Sequence, residues 1–324
     1  MKKILGMGNA LVDIMTLLPD DETLTKFELP KGSMQLVDYN FHNNIQNYTK
    51  SFKKQLASGG SAANTIHGLS KLGAKCGFIG KVGQDEMGQF FKKDMIENNI
   101  EPFLTESETN SGVATALVSK DSERTFATYL GAASELIADN IDEKTFEGFG
   151  IFYIEGYLVQ NHELIEKAVK TAKEKGLEVA LDLASYNVVE DNFDFIQRIV
   201  KDYVDIVFAN EEEAKAFTGK EPQEALIELG KFAKIAIVKI GKKGSLILKD
   251  GIVSTIQGLK ANSIDTTGAG DSYAAGFLYG YVNNKSMETC GNMGSFISAK
   301  VVEVVGPKLN EDIWKEIREH ISTL

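Results

Sequence analysis

The sequence predicts an α/β protein: a doubly wound, mostly parallel sheet with helices on both faces, plus a small β-sheet standing off it as a lid. Three observations predict it. From residue 150 onward, strand-length apolar runs alternate with helix-length segments, the rhythm of a parallel sheet covered by helices. Two segments, 14–40 and 100–129, break that rhythm with short apolar pieces and turn residues. Two glycine loops, Ser58 to Asn64 and Asp265 to Asp271, each stand where a helix begins.

In chain order, Lys2 to Ala10 reads as a buried first strand, with Asp13 at its end. Gly6 and Gly8 start the spacing of a dinucleotide fingerprint. Its third glycine would fall at Leu11, and no helix clearly follows, which argues against a Rossmann oxidoreductase. Ligands in open α/β sheets sit beyond the carboxyl ends of strands. Asp13 is therefore a candidate acceptor for two vicinal hydroxyls, the other reading being a solvated loop carboxylate.

Residues 14–40 hold no long helix, and Ser33 to Val37 reads as a strand. Residues 41–56 read as a polar helix. In the loop that follows, Gly59 and Gly60 let the main chain approach a ligand, and Asn64 can both donate and accept. Lys75 to Val82 is a strand, and Asp85 opens the next helix. Val113 to Ser119 and Arg124 to Tyr129 form a hairpin joined by Lys120 to Glu123. The economical arrangement is a core of residues 1–13, 41–99 and 130–324, with 14–40 and 100–129 as a discontinuous lid that excludes water. Arg124, in the second lid segment, either reaches a phosphate or substrate or is a lone surface arginine. In the second half, the strands are Gly150–Ile154, Leu177–Leu183, Ile206–Ala209 and Ile235–Ile240. Helices cover 162–175, 193–201, Glu211–Phe217 and 223–233.

The chemistry gathers at Asp265-Thr-Thr-Gly-Ala-Gly-Asp271. The free N–H groups and dipole of a helix start attract an anion, and Gly268 and Gly270 allow close approach. Asp271 stands at the mouth of that site. It would repel the anion, but it suits a hydroxyl that loses its proton while attacking the anion, as in phosphoryl transfer. A plain helix-start aspartate is the alternative. Asn210 and Glu213 lie one helical turn apart and can face one hydrated Mg²⁺, although a solvated helix start would look the same. Gly241 and Gly244, after Lys239, permit a turn into the next strand; a nucleotide could lie across it, and a plain turn explains the glycines equally well.

Composition bounds the rest. The chain has 324 residues, 43% hydrophobic and 25% charged, with net charge −11. The charges are interspersed, so nucleic acid is an unexpected partner. No long apolar run suggests a membrane span or signal peptide, and two cysteines without a CxxC fit the reducing cytoplasm. P-loop, HExxH and Gly-x-Ser-x-Gly patterns are missing from the sequence.

Four motifs in order resemble the ribokinase/PfkB family of carbohydrate and nucleoside kinases. They are Gly8-Asn-x-x-x-Asp13, Gly59-Gly-Ser-Ala-Ala-Asn64 with Gly80-Lys-Val-Gly-Gln-Asp85 after it, Asn210-x-x-Glu213, and Asp265 to Asp271. The resemblance implies a ribokinase-like core and β lid, with ATP and Mg²⁺. It casts Asp271 as base, and the amides of Gly268, Ala269 and Gly270 as anion hole. It gives Asp13, Gly59, Gly60 and Asn64 to the acceptor. Asn210 and Glu213 go to water-linked Mg²⁺, and Lys239, Gly241, Gly244 and Thr266 to the nucleotide. Many members bind K⁺ beside the anion hole, and Asp265 and Thr267 stand at that place. The first motif is more similar to the adenosine-kinase branch, where positions matching Asn9, Leu11 and Asp13 surround a nucleoside, with Tyr157 free to stack on a base. The acceptor implied is a nucleoside. The alternatives are a free sugar such as ribose or fructose, or a sensor without turnover. Exposed lid edges also suggest a homodimer.

Overall fold

The computed structural model describes residues 2–121 and 123–324; Met1 and Ser122, the latter in the predicted hairpin connection, lie outside the described residues. Strand β1 (Lys3–Met7) is followed by β2 (Leu11–Leu17), α1 (Glu22–Lys26), β3 (Met34–Leu36), α2 (Tyr39–Tyr48) and β4 (Lys54–Gly59). Then come α3 (Ser61–Lys71), β5 (Cys76–Gly83), α4 (Glu86–Glu97), β6 (Ile100–Ser107), β7 (Gly112–Val118) and β8 (Arg124–Tyr129). The regular half runs β9 (Phe149–Glu155), α5 (His162–Glu174), β10 (Glu178–Asp182), α6 (Tyr186–Asp191), α7 (Phe193–Tyr203), β11 (Ile206–Asn210), α8 (Glu211–Thr218) and α9 (Pro222–Leu229). The chain closes with β12 (Ile235–Lys239), β13 (Gly244–Lys249), β14 (Ile252–Gln257), α10 (Ala269–Val282), α11 (Met287–Val301) and α12 (Glu311–Ile321).

The strands form a nine-stranded sheet, ordered β14-β13-β12-β11-β10-β9-β1-β5-β6, and a five-stranded sheet, ordered β3-β8-β7-β2-β4. From β6 to β12 every pair in the large sheet is parallel; β13 and β14 are antiparallel additions. Its central strands, β9 to β12, are largely apolar because both faces are covered. In β9, Phe152 and Ile154 join the apolar cluster under α5, α7, α8 and α9. Ile151 and Tyr153, the alternate residues, join the cluster under α3 and α10. The fold is therefore the doubly wound α/β architecture that the alternation predicts.

Three details differ from the sequence expectation. First, β1 stops at Met7. Gly8, Asn9 and Ala10 carry the chain out of the large sheet, so Asp13 lies in the middle of β2, in the small sheet, rather than at the end of the first strand. Second, β6 pairs with β5 at the edge of the large sheet, which removes residues 100–107 from the lid. Pro102 obscured it, but an edge strand tolerates a proline because one side of its backbone needs no partner. Third, the polar helix ends at Tyr48, and β4 turns residues 54–59 into the other edge of the small sheet.

Candidate active site

The carboxyl ends of the large-sheet strands, the start of α10 and the inner face of the small sheet enclose a cleft of about 1280 Å³, lined by Asp13, Asn64, Tyr157, Asn210, Lys239 and Asp271 among others. The polypeptide reaches it by simple local rules. Parallel strands end on the same side, and β10 and β11 each lead into a helix there, α6 and α8.

At the start of α10, Gly268 takes a left-handed conformation (φ 76°) and packs against Pro307; a Cβ there would lie 2.5 Å from the proline Cβ. The amides of Gly268 and Gly270 make no hydrogen bond within the chain among the described residues, while Ala269 donates to the Thr266 carbonyl at 3.1 Å. The Ala269 amide is thus engaged in closing the turn, and Ala269 lines the cleft beside the two free amides. Asp271 follows in the first turn. Ser61 Oγ donates to one carboxylate oxygen at 2.7 Å, and Asn64 Nδ2 to the other at 3.0 Å. Burial pushes Asp271 up to about 6; these two hydrogen bonds oppose it, Asp182 adds to it and Lys239 opposes it.

Asn64 was expected to meet the acceptor. Its amide nitrogen donates to Asp271, while its Oδ1 is buried and has no partner among the described residues, so one end of the amide is still available to a ligand. Asn9 is committed within the chain. Its backbone N–H and Nδ2 donate to Glu155 Oε1 at 2.8 and 2.6 Å, and Ala62 N donates to Glu155 Oε2 at 2.9 Å. Burial pushes Glu155 up to about 7 against those donors. Gly59 leaves room for Asp13, since a Cβ would lie 2.2 Å from Asp13 Oδ1. Gly60 (φ 97°) lets α3 start beside the Asn9 carbonyl. Leu11 and Tyr157 face the cleft, as does Phe126 of β8.

On the opposite wall, Lys239 at the end of β12 pairs with Asp182 at the end of β10 at 2.9 Å, both largely buried. Its Nζ lies 3.2 Å from where a Cβ on Gly270 would stand, immediately below the free amides. Burial works to lower the Lys239 pKa, but Asp182, Glu213 and Asp271 outweigh it and raise it. Asn210 and Glu213 are locked together as a capping box. Asn210 N and Nδ2 donate to the two Glu213 oxygens at 2.7 and 2.6 Å, and Glu213 N donates back at 2.8 Å. Burial pushes Glu213 up to about 7. Both its oxygens already accept, so this pair suits an ion held through water and phosphate; among the described residues no group of three or more His, Cys, Asp or Glu could hold a metal. Gly241, Gly244 and Thr266 line the same wall.

Arg124 does not line the cleft. Its Nη1 pairs with Asp265 Oδ2 at 2.7 Å, both side chains being buried. Asp265 also accepts from Thr267 N (3.0 Å) and Gly306 N (2.7 Å). Arg124 is therefore not a lone surface arginine, and its charge is paired with the glycine loop rather than turned to the cleft. The same contacts leave Asp265 without an open charge for K⁺.

Sequence reasoning missed Ser61, Glu155 and Asp182. Glu155 and Asp182 carried a readable signal: each is a carboxylate that follows a buried apolar run at the cleft end of its strand. Ser61 carried none, because its role depends on where α10 lands.

The sequence pattern described as pfkB family carbohydrate kinase matches residues 34–314. Adenosine kinase 2 of Arabidopsis thaliana is 24% identical over 327 residues, spanning 94% of this chain and 94% of that protein. The 5-dehydro-2-deoxygluconokinase of Bacillus subtilis is 29% identical over 277 residues, 81% of this chain and 85% of that protein. The crystal structure of adenosine kinase from Sinorhizobium meliloti superposes with a TM-score of 0.86 at 30% identity, covering 98% of this chain and 99% of that one.

Proposed function

The chain belongs to the pfkB family of carbohydrate kinases, and from that premise we propose that it transfers the γ-phosphate of ATP to the primary hydroxyl of an adenosine-like ribonucleoside. As a member of that family it is a phosphotransferase with a sugar or nucleoside hydroxyl as acceptor. The observation that carries the mechanism is Asp271: a buried carboxylate held by Ser61 and Asn64 beside the free amides of Gly268 and Gly270.

In this reading the acceptor's ribose hydroxyls rest on Asp13 and the free Oδ1 of Asn64. The primary hydroxyl points at Asp271. As its oxygen bonds to the γ-phosphorus and the bond to the ADP oxygen breaks, its proton passes to Asp271. The two amides, the α10 dipole and Lys239 meet the charge on the phosphoryl oxygens. Mg²⁺, linked through water to Asn210 and Glu213, would offset further phosphate charge when bound. The nucleoside reading rests on the apolar surface beside Asp13. Leu11 and Ala114 flank it on the small sheet, and Phe126 and Tyr157 line the same cleft, a surface suited to a planar base. In register with Phe126, Met34 is 55% exposed, and Leu36 two residues on is 65% exposed.

ADP release with Mg·ATP tests this against adenosine, inosine, guanosine, ribose, fructose and 5-dehydro-2-deoxygluconate at equal concentration. Turnover confined to nucleosides is expected. Turnover confined to a free sugar, the reading favoured by the likeness to the Bacillus subtilis enzyme, would retain Asp271 and reassign the apolar wall. K⁺ has a smaller part here, because Arg124 neutralises Asp265. Replacing K⁺ by Na⁺ is expected to change turnover by less than about twofold, since a buried ion pair is already in place. A several-fold K⁺ stimulation would return that cation to the loop.

A further inference from the structure

Lys308 is a buried charge that the proposed chemistry does not use. Two residues before it, Gly306 donates its amide to Asp265, and Pro307 packs on Gly268. Leu309, just after it, is fixed in the apolar cluster with Leu72 and Trp314. These contacts hold Lys308 between the glycine loop and the α3–α12 layer, and against the strand that carries Asp13, since a Cβ on Gly306 would lie 3.3 Å from Met15 Sδ of β2. Its Nζ is shut off from solvent and has no hydrogen-bond acceptor among the described residues. Titratable groups face it from four elements: Asp94 on α4, whose charge acts on it most strongly, Asp13 on β2, Asp271 on α10, and Lys71 and the neutral-leaning, buried His67 on α3. A desolvated ammonium without an acceptor is costly, and a structure retains one where its field has a use.

We propose that Lys308 is a positioning residue for the acceptor: its ammonium is the fixed counter-charge that keeps the Asp13 carboxylate ionised to receive the acceptor's hydroxyls. This rests on the reading of Asp13 as the hydroxyl contact. Burial pushes Asp13 up to about 6; Lys308 is the strongest charge opposing that rise, ahead of Arg124, while Asp271 adds to it. Arg124 is already paired with Asp265, whereas Lys308 forms no ion pair among the described residues. Burial lowers Lys308 itself to about 8, so it is charged across the range in which Asp13 titrates.

The experiment is the pH dependence of acceptor KM and of kcat in the full-length wild type, K308M, K308R and D13N. If losing the ammonium moves Asp13 up by about one unit, K308M raises acceptor KM about threefold near pH 6.5 and approaches tenfold below about pH 5. The gap to wild type closes above about pH 9, where Lys308 is neutral and Asp13 is ionised in either protein. K308R keeps the wild-type profile in the acid range, and kcat at saturating acceptor changes little. If K308M does not fold, as thermal unfolding and ADP binding will reveal, K308Q carries the same expectation. A K308M or K308Q profile that parallels wild type at every pH overturns the proposal. The outcome is separable from that of the functional reading. If D13N leaves acceptor KM unchanged, the Asp13 contact itself is wrong. If D13N raises KM at all pH values while K308M and K308Q follow wild type, only the role of Lys308 fails.

Discussion

Asp271→Asn is expected to lower kcat by roughly 10²–10⁴-fold, the usual contribution of a positioned general base. The amide is isosteric, so the hydrogen bond from Asn64 or Ser61 can rearrange without moving α10, and ADP binding measured by calorimetry should stay within about twofold. The pH profile gives an independent reading. The folded pKa of Asp271 is raised to about 6, so the ionised base is present above that value and lost as pH falls through it. Wild-type kcat should therefore show an acid limb near pH 6 that is missing from the residual activity of the variant. Near-normal kcat in D271N would remove Asp271 from the chemistry altogether.

The second large effect is expected at Lys239. It pairs at 2.9 Å with Asp182, whose side chain is only 6% exposed. Lys239→Met leaves Asp182 and Glu213 facing each other without their cation. Removing one partner of such a buried pair costs about 3–5 kcal/mol. Denaturant unfolding at neutral pH should register that loss, and K239M/D182N should recover most of it, because the orphaned charge goes too. Activity should not return with stability, since the phosphoryl oxygens would still lack the ammonium below Gly270. A K239M/D182N enzyme with wild-type kcat would make the pair purely structural; a K239M protein of unchanged stability would mean that water screens the pair.

The legible and illegible parts of this chain divide along a physical line. Strands β9 to β12 could be read because burial on both faces leaves an unbroken apolar run, and that signal is local. The α10 glycine turn could be read because positive φ at Gly268 and an anion-facing helix start restrict the residues tolerated. The small sheet was harder. Its strands have one open face, β4 alternates only weakly, and β6 carries Pro102, so membership was decided by partners distant in sequence. The same holds within the site. Asn9 and Asn64 were singled out as acceptor contacts, but side-chain identity cannot tell whether an amide meets a substrate or another carboxylate. Glu155 and Asp271 answer that question only once β9 and α10 are brought together. Arg124 shows the limit most plainly, because the residue that neutralises it, Asp265, lies in the loop before α10 and in a different half of the chain.

The small sheet also fixes an order of events in folding. Its central pair, β2 with β7, joins Leu11 to Gly112 in parallel, about a hundred residues apart along the chain. Closing so long a loop before other contacts exist is entropically unfavourable. The intervening chain must first be drawn in by β1, β5 and β6, which pair side by side in the large sheet. Asp13 and the apolar wall beside it should accordingly be among the last parts to acquire native protection after dilution from denaturant. Pulse-labelled hydrogen exchange would then find β9 to β12 protected while β2, β7 and β8 still exchange, leaving a transient species with a formed core but no acceptor pocket.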